Sequence, residues 1–173
     1  LEEGMAGAVL SIENEIQDQP FLLVSGNDIV EESAYKSMKS ASEGSADSYL
    51  LAYEVNKYFP GGYLKLNGTK IEGIIEKPEE GGEPSKYINL VLHFHKNPQI
   101  LFEKLRKISS DKDDRYELAL DELMKEKNIE AVFYDGFWQA LKFSYHVLDL
   151  TKYFLSNMHH KSAKMLIFLK QQL

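Results

Sequence analysis

Short runs of apolar residues, continuous or alternating with polar ones, mark Phe21–Val24, Tyr49–Val55, Tyr63–Leu66, Ile71–Ile75, Ile88–His95 and Ile129–Tyr134. Each such run predicts a β-strand. The unbroken run Phe21–Val24 reads as a strand buried on both faces. Asn67-Gly68 lies between two of the runs and predicts a tight hairpin. Helical spacing takes over elsewhere. Gly4–Leu10 leads into Ile12 and Ile16 and is closed by Pro20; a second helix covers roughly Glu31 to Met38. A third begins at Asn97-Pro98, with Asn as cap and Pro at the first position, and carries Ile100, Leu101, Leu105 and Ile108 on one stripe. A fourth spans Tyr116–Lys127 with Leu120, Leu123 and Met124 inward. Tyr145 to about Met158 is amphipathic, and a greasy cluster, Met165–Leu169, follows. That apolar surface predicts docking on the body or on a second copy of the chain, hence a homo-oligomer through the C-terminal helices.

The candidate chemistry sits where strands end. Ile74-Ile75 runs into Glu76-Lys77-Pro78. Proline cannot donate to a ladder, so the strand stops there and leaves an acid and a base at its rim. A carboxylate accepts from sugar hydroxyls and an ammonium neutralises a phosphate, so the pair suits a phosphorylated sugar. The competing reading is a surface ion pair beside a turn. Phe21–Val24 ends in Ser25-Gly26-Asn27-Asp28, where Asp28 either holds a hard cation or caps a turn. Trp138, the only tryptophan, packs in the core or lines a sugar pocket. His93 and His95 fall on one face of their strand, but a metal site needs further ligands and none is evident. The small residues of Gly4-Met5-Ala6-Gly7 let a helix start approach a backbone or a ligand closely.

Composition narrows the partners. The chain has 173 residues, a formal net charge of −7 and no cysteine. That excludes disulfides and thiolate chemistry, and with no basic run it argues against nucleic acid. No apolar run is long enough to span a membrane, and no signal peptide is evident. A cytoplasmic setting is expected. The chain starts at Leu1 with an apparent helix at once, which points to a missing upstream segment.

The order of pieces is informative as a set: Gly-x-Ala-Gly-Ala at Gly4–Ala8, an apolar strand ending in a Gly-acid turn, Gly62–Lys65, Asn-Gly, Ile-Ile-Glu-Lys-Pro, Ser-x-x-Ile-Asn, Tyr-Glu-Leu, and Tyr-Asp-Gly-Phe-Trp at Tyr134–Trp138. Together they resemble the sugar-1-phosphate nucleotidyltransferases, of the glucose-1-phosphate thymidylyl- and uridylyltransferase kind. The resemblance runs to about residue 155. It implies a three-layer α/β/α fold with a mixed central β-sheet over 1–155 and a helical extension over 156–173. It also implies Mg²⁺-dependent attack of a sugar 1-phosphate on a nucleoside triphosphate, with pyrophosphate leaving. Residue by residue it implies that Gly4, Met5, Ala6 and Gly7 meet the nucleotide, that Asp28 or Asn27 stands near the metal, and that Gly62, Glu76, Lys77, Asn89 and Trp138 meet the sugar phosphate.

The departures are specific. The family's Gly-rich phosphate loop, with its activating Arg and Lys, is absent, so the catalytic residues are expected upstream and this fragment is expected to lack turnover. The Gly-Asp metal pair reads Gly26-Asn27-Asp28, which displaces the carboxylate by one residue. The segment after Trp138 reads Ala140-Leu141-Lys142-Phe143 and lacks its usual carboxylate. These changes keep a second reading open: a non-catalytic regulatory module that binds sugar phosphate or nucleotide on the same fold.

Overall fold

The computed structural model describes residues 4–111 and 114–157. They fall into two compact units, residues up to Ser25 together with Glu31–Gly136, and Gly26–Val30 together with residues from Phe137 on.

The first unit is built on six strands: β1 (Phe21–Val24), β3 (Ser48–Glu54), β4 (Gly62–Asn67), β5 (Lys70–Glu76), β6 (Tyr87–His95) and β7 (Ile129–Tyr134). Their spatial order is β1-β6-β3-β7-β5-β4. β3 runs parallel to β7 and antiparallel to β6, so the sheet is mixed. β3 holds the centre, and its first five residues are all buried, as an unbroken apolar strand with neighbours on both sides requires. Alternation then sorts the side chains by face. Leu50 and Ala52 join Leu64, Ile71, Ile74, Ile129 and Ala131 in a core under α1 (Gly4–Ser11), α4 (Pro98–Lys107) and α5 (Arg115–Glu126). Tyr49 and Leu51 face the other way, where α3 (Glu32–Ser42) buries Ala34 and Met38. Helices thus cover both faces, which is the expected three-layer α/β/α arrangement. A single turn, α2 (Glu13–Ile16), completes the unit.

Several local expectations are corrected. β1 is not buried on both faces: it pairs with β6 at one end of the sheet, and Leu22 and Val24 are each 42% exposed. The hairpin β4–β5 is present, with Asn67 opposite Lys70, so the two loop residues are Gly68 and Thr69. Gly68 has φ +63, the conformation the first central residue of a II′ turn demands. Asn97 precedes α4 with Pro98 at its first turn, yet the Asn97 side chain makes no capping bond. α3 runs to Ser42, four residues beyond the expected end.

The second unit contains a two-stranded ribbon, β2 (Asp28–Val30) with β8 (Trp138–Ala140), and a helix, α6, over 146–157. Leu150 is buried, while Val147, Leu148, Phe154 and Leu155 are exposed. His159, His160 and the cluster Met165–Leu169 lie outside the described residues. Among the described residues no helix is long and apolar enough to cross a membrane.

Candidate functional site

Hairpin register does the assembling in the first unit. The ladder between β4 and β5 sets Gly62 opposite Glu76, and the pairing of Tyr63 with Ile88 brings the start of β6 alongside. A Cβ built on Gly62 would lie 3.0 Å from Ile74 Cγ2, 3.1 Å from Glu76 Oε2 and 3.9 Å from Asn89 Cβ. Gly62 is itself buried, so its missing side chain leaves only a narrow notch, with the Glu76 carboxylate on one wall and Asn89, at its Cβ, on another. Lys77 Nζ sits 3.3 Å from Glu76 Oε1, and its side chain is 64% exposed. Its backbone is the unusual feature. Lys77 has φ +45, a left-handed conformation that a side chain disfavours by about 1–2 kcal/mol. The strain is held by a bond from Lys77 N–H to the Gly61 carbonyl at 3.0 Å and by Pro78, whose carbonyl accepts from the Tyr58 hydroxyl at 3.0 Å. Residue sequence predicts the strand stop at Pro78 but gives no sign of the left-handed turn before it.

Asn89 is anchored from below. Its Oδ1 lies 2.9 Å from His93 Nε2, and His93 Nδ1 lies 2.8 Å from the Tyr116 hydroxyl. His93 and His95 are fully buried. Burial, with some repulsion from His95, holds the His93 pKa well below its usual value, against a partly opposing bond to the Leu90 carbonyl. Burial alone lowers His95 to about 4. Both rings are therefore neutral at neutral pH, and the two histidines serve the core rather than a metal. The same-face spacing of Asn89, His93 and His95 was the one available signal of this arrangement; the partner, Tyr116, comes from α5 and could not be read from it.

The remaining candidates stand on other elements. Gly4, Met5, Ala6 and Gly7 form the first turn of α1, where Ala6 is buried and Met5 packs on the core. In the second unit, Asp28 is set directly opposite Ala140 in the ribbon. The Trp138 indole N–H donates to Asp28 Oδ1 at 2.9 Å, and the Asn27 carbonyl accepts from Leu141 N–H at 2.7 Å. The ribbon thus offers one carboxylate, oriented by an indole, and across from it only a methyl group. Among the described residues no group of three or more His, Cys, Asp or Glu is placed to hold a metal. A Mg²⁺ ion that keeps its waters and takes phosphate oxygens fits one carboxylate, so Asp28 is the protein ligand this unit could contribute.

A notch with an acceptor, an amide and a cation at a strand end, on a mixed three-layer sheet, invites comparison with known proteins. The nucleotidyl transferase family model matches residues 1–141. The chain belongs to the nucleotidyl transferase family. Solved structures agree on the fold. An apo UDP-glucose pyrophosphorylase superposes with a TM-score of 0.78 at 21% identity, over 90% of this chain and 61% of that one. A UDP-glucose pyrophosphorylase complexed with UDP-glucose gives 0.77 at 20%, over 91% and 64%. A putative glucose-1-phosphate thymidylyltransferase from Bacillus anthracis gives 0.68 at 17%, over 84% and 58%. This nucleotidyl transferase chain therefore spans about three fifths of the length of these structures. No curated protein matches its sequence.

One consequence of the notch is directly measurable. In Gly62→Ala the new methyl would press on Ile74 and push the Glu76 carboxylate aside, since the carboxylate is the mobile neighbour. Stability should fall by only about 1 kcal/mol, as urea unfolding of the variant would show.

Proposed function

We propose that this chain supplies the sugar-1-phosphate site of a nucleotidyltransferase that joins a sugar 1-phosphate to a nucleoside triphosphate. The observation that carries the reading is the bare Gly62 backbone set between Glu76 Oε2 and Asn89, with Lys77 adjoining. Glu76 accepts hydrogen bonds from sugar hydroxyls, the Asn89 amide holds a further oxygen, and the Lys77 ammonium neutralises the phosphate. Held so, a phosphate oxygen of the sugar 1-phosphate attacks the α-phosphorus of the triphosphate. The new P–O bond replaces the bond to pyrophosphate, which leaves. Proteins accelerate such transfers mainly by positioning and charge stabilisation. By resemblance Mg²⁺ would supply neutralising charge to such a transfer; in the second unit, taken by itself, Asp28 is the carboxylate that would hold it, and Asn27 offers only an amide. The helix start at Gly4–Gly7 is assigned to the nucleotide by resemblance. UDP-glucose in a structural relative supports hexose 1-phosphates and uridine nucleotides as the first ligands to try.

Binding is the first property to test on this chain, which spans about three fifths of the length of its structural relatives. Titration with glucose 1-phosphate, followed by NMR, should give saturable shifts centred on Glu76, Lys77 and Asn89. Shifts elsewhere only, or none with glucose 1-phosphate and UDP-glucose alike, would remove the assignment. The single carboxylate at the β2–β8 ribbon favours a second reading, a binding module that performs no chemistry. Pyrophosphate release from glucose 1-phosphate, UTP and Mg²⁺ by the longest natural form of the protein decides between the two.

A further inference from the structure

The polar groups of the main core form one continuous line that the transfer chemistry does not use. Ser48 Oγ lies 2.9 Å from His95 Nδ1. His95 Nε2 lies 3.2 Å from the Tyr116 hydroxyl, which lies 2.8 Å from His93 Nδ1. His93 Nε2 lies 2.9 Å from Asn89 Oδ1. Ser48, both histidines and Tyr116 are buried, so each must be satisfied by its neighbours rather than by water.

The donors and acceptors in this line are not independent. A neutral imidazole has one N–H and one bare nitrogen. With Asn89 Oδ1 as acceptor, His93 carries its proton on Nε2 and accepts at Nδ1 from Tyr116 O–H; the Leu90 carbonyl is a further acceptor that competes for that one ring proton. The tyrosine oxygen then accepts from His95 Nε2–H, and His95 Nδ1 accepts from Ser48 O–H. Turning the Asn89 amide over would reverse every step. Ser48 breaks the tie. In the reversed line its oxygen accepts from His95, and its own proton is left buried with no acceptor among the described residues, a cost the forward line avoids.

We infer that the Ser48–His95–Tyr116–His93 line fixes the amide of Asn89 as a hydrogen-bond donor towards the Gly62 notch. The inference rests on the reading of that notch as a sugar-phosphate site. With Oδ1 held by His93, Asn89 Nδ2 turns away from the ring, and among the described residues it has no protein partner. The notch therefore presents a donor from Asn89 beside an acceptor from Glu76. It selects ligands that offer an oxygen acceptor to one wall and a hydroxyl donor to the other, as a sugar phosphate does. His93 and Tyr116 are positioning residues: neither reaches the ligand.

The test uses ¹⁵N-histidine spectra and titration with glucose 1-phosphate. At pH 7 both buried rings should be neutral with the proton on Nε2; a proton on Nδ1 of His93 would overturn the inference. Tyr116→Phe keeps the ring stacked on His93, at 5.8 Å between centroids, and removes the hydroxyl that sets the order. It should give mixed His93 tautomers and about tenfold weaker binding, the scale of one hydrogen bond. Altered tautomers with wild-type affinity would mean a purely structural role and overturn it equally. Should Tyr116→Phe not fold, Ser48→Ala removes only the tie-breaking hydroxyl and should mix the same tautomers. If the wild type binds no glucose 1-phosphate, the site assignment and the ligand role of Asn89 fall together, while Nε2 tautomers would show the line itself intact.

Discussion

Unfolding free energy should be flat above about pH 6.5 and fall steeply below it. His95 is fully buried with a folded pKa of about 4, whereas an unfolded imidazole takes its proton near 6.5. Between those values the unfolded chain holds more protons than the folded one, so stability must drop as pH falls. One histidine contributes a slope of about 1.4 kcal/mol per pH unit, and His95 alone should cost about 3 kcal/mol by pH 4. His93, also lowered by burial, adds in the same direction. Asp121 acts with the opposite sign: half-burial raises its pKa despite the Ile74 N–H, so its protonation in acid favours the folded state. It is one partly solvated group against two fully buried ones. Against a usual stability of about 5–15 kcal/mol for a domain, the histidines bring the fold close to its limit. Urea unfolding followed between pH 4.5 and 7.5 measures the effect. A curve flat from 6.5 down to 5 would mean that the rings are hydrated or already charged. His95→Gln, with less to protonate, should show the shallower slope.

Much of the sheet is legible from local pattern because the pattern is produced by burial. Ile129–Tyr134 is observed with the bounds the apolar run predicts, and the run Tyr49–Val55 is observed as β3 over Ser48–Glu54. The same rule misleads at Phe21–Val24. An unbroken apolar run reports the hydrophobicity of both faces and not the number of neighbours, and β1 has one neighbour among the described residues. The meeting of Gly62 with Glu76 was not readable from the turn: a two-residue turn at Gly68-Thr69 alone would set Gly62 opposite Ile75, and a register shift between Lys65 and Leu66 moves it opposite Glu76. Whatever depends on distant chain is also unreadable. Tyr116 reaches the two histidines from a helix more than twenty residues away, and the bond from Trp138 to Asp28 spans 110 positions. Sequence spacing carries no trace of either, and an isolated Asp or His looks alike with or without such a partner.

Removing the charge of Lys77 should weaken glucose 1-phosphate binding by about ten- to a hundredfold, the range for a hydrogen bond to a charged group, and leave glucose unaffected. The ion pair with Glu76 is largely solvated, with Lys77 64% exposed, so its loss should cost the fold almost nothing. Glu76→Gln should weaken glucose and glucose 1-phosphate alike, because the carboxylate addresses hydroxyls that both ligands share. The backbone separates function from stability at the same position. Lys77→Ala keeps a side chain at φ +45 and hence the strain. Lys77→Gly relieves about 1–2 kcal/mol of it and loses about half in extra freedom of the unfolded chain, so it should be more stable than wild type while binding the phosphate as poorly as Lys77→Ala. Strain retained at a residue whose replacement would stabilise the protein is what a position held for its ligand should show. Wild-type affinity for glucose 1-phosphate in Lys77→Ala would detach Lys77 from the pocket and leave the left-handed turn without a functional reason.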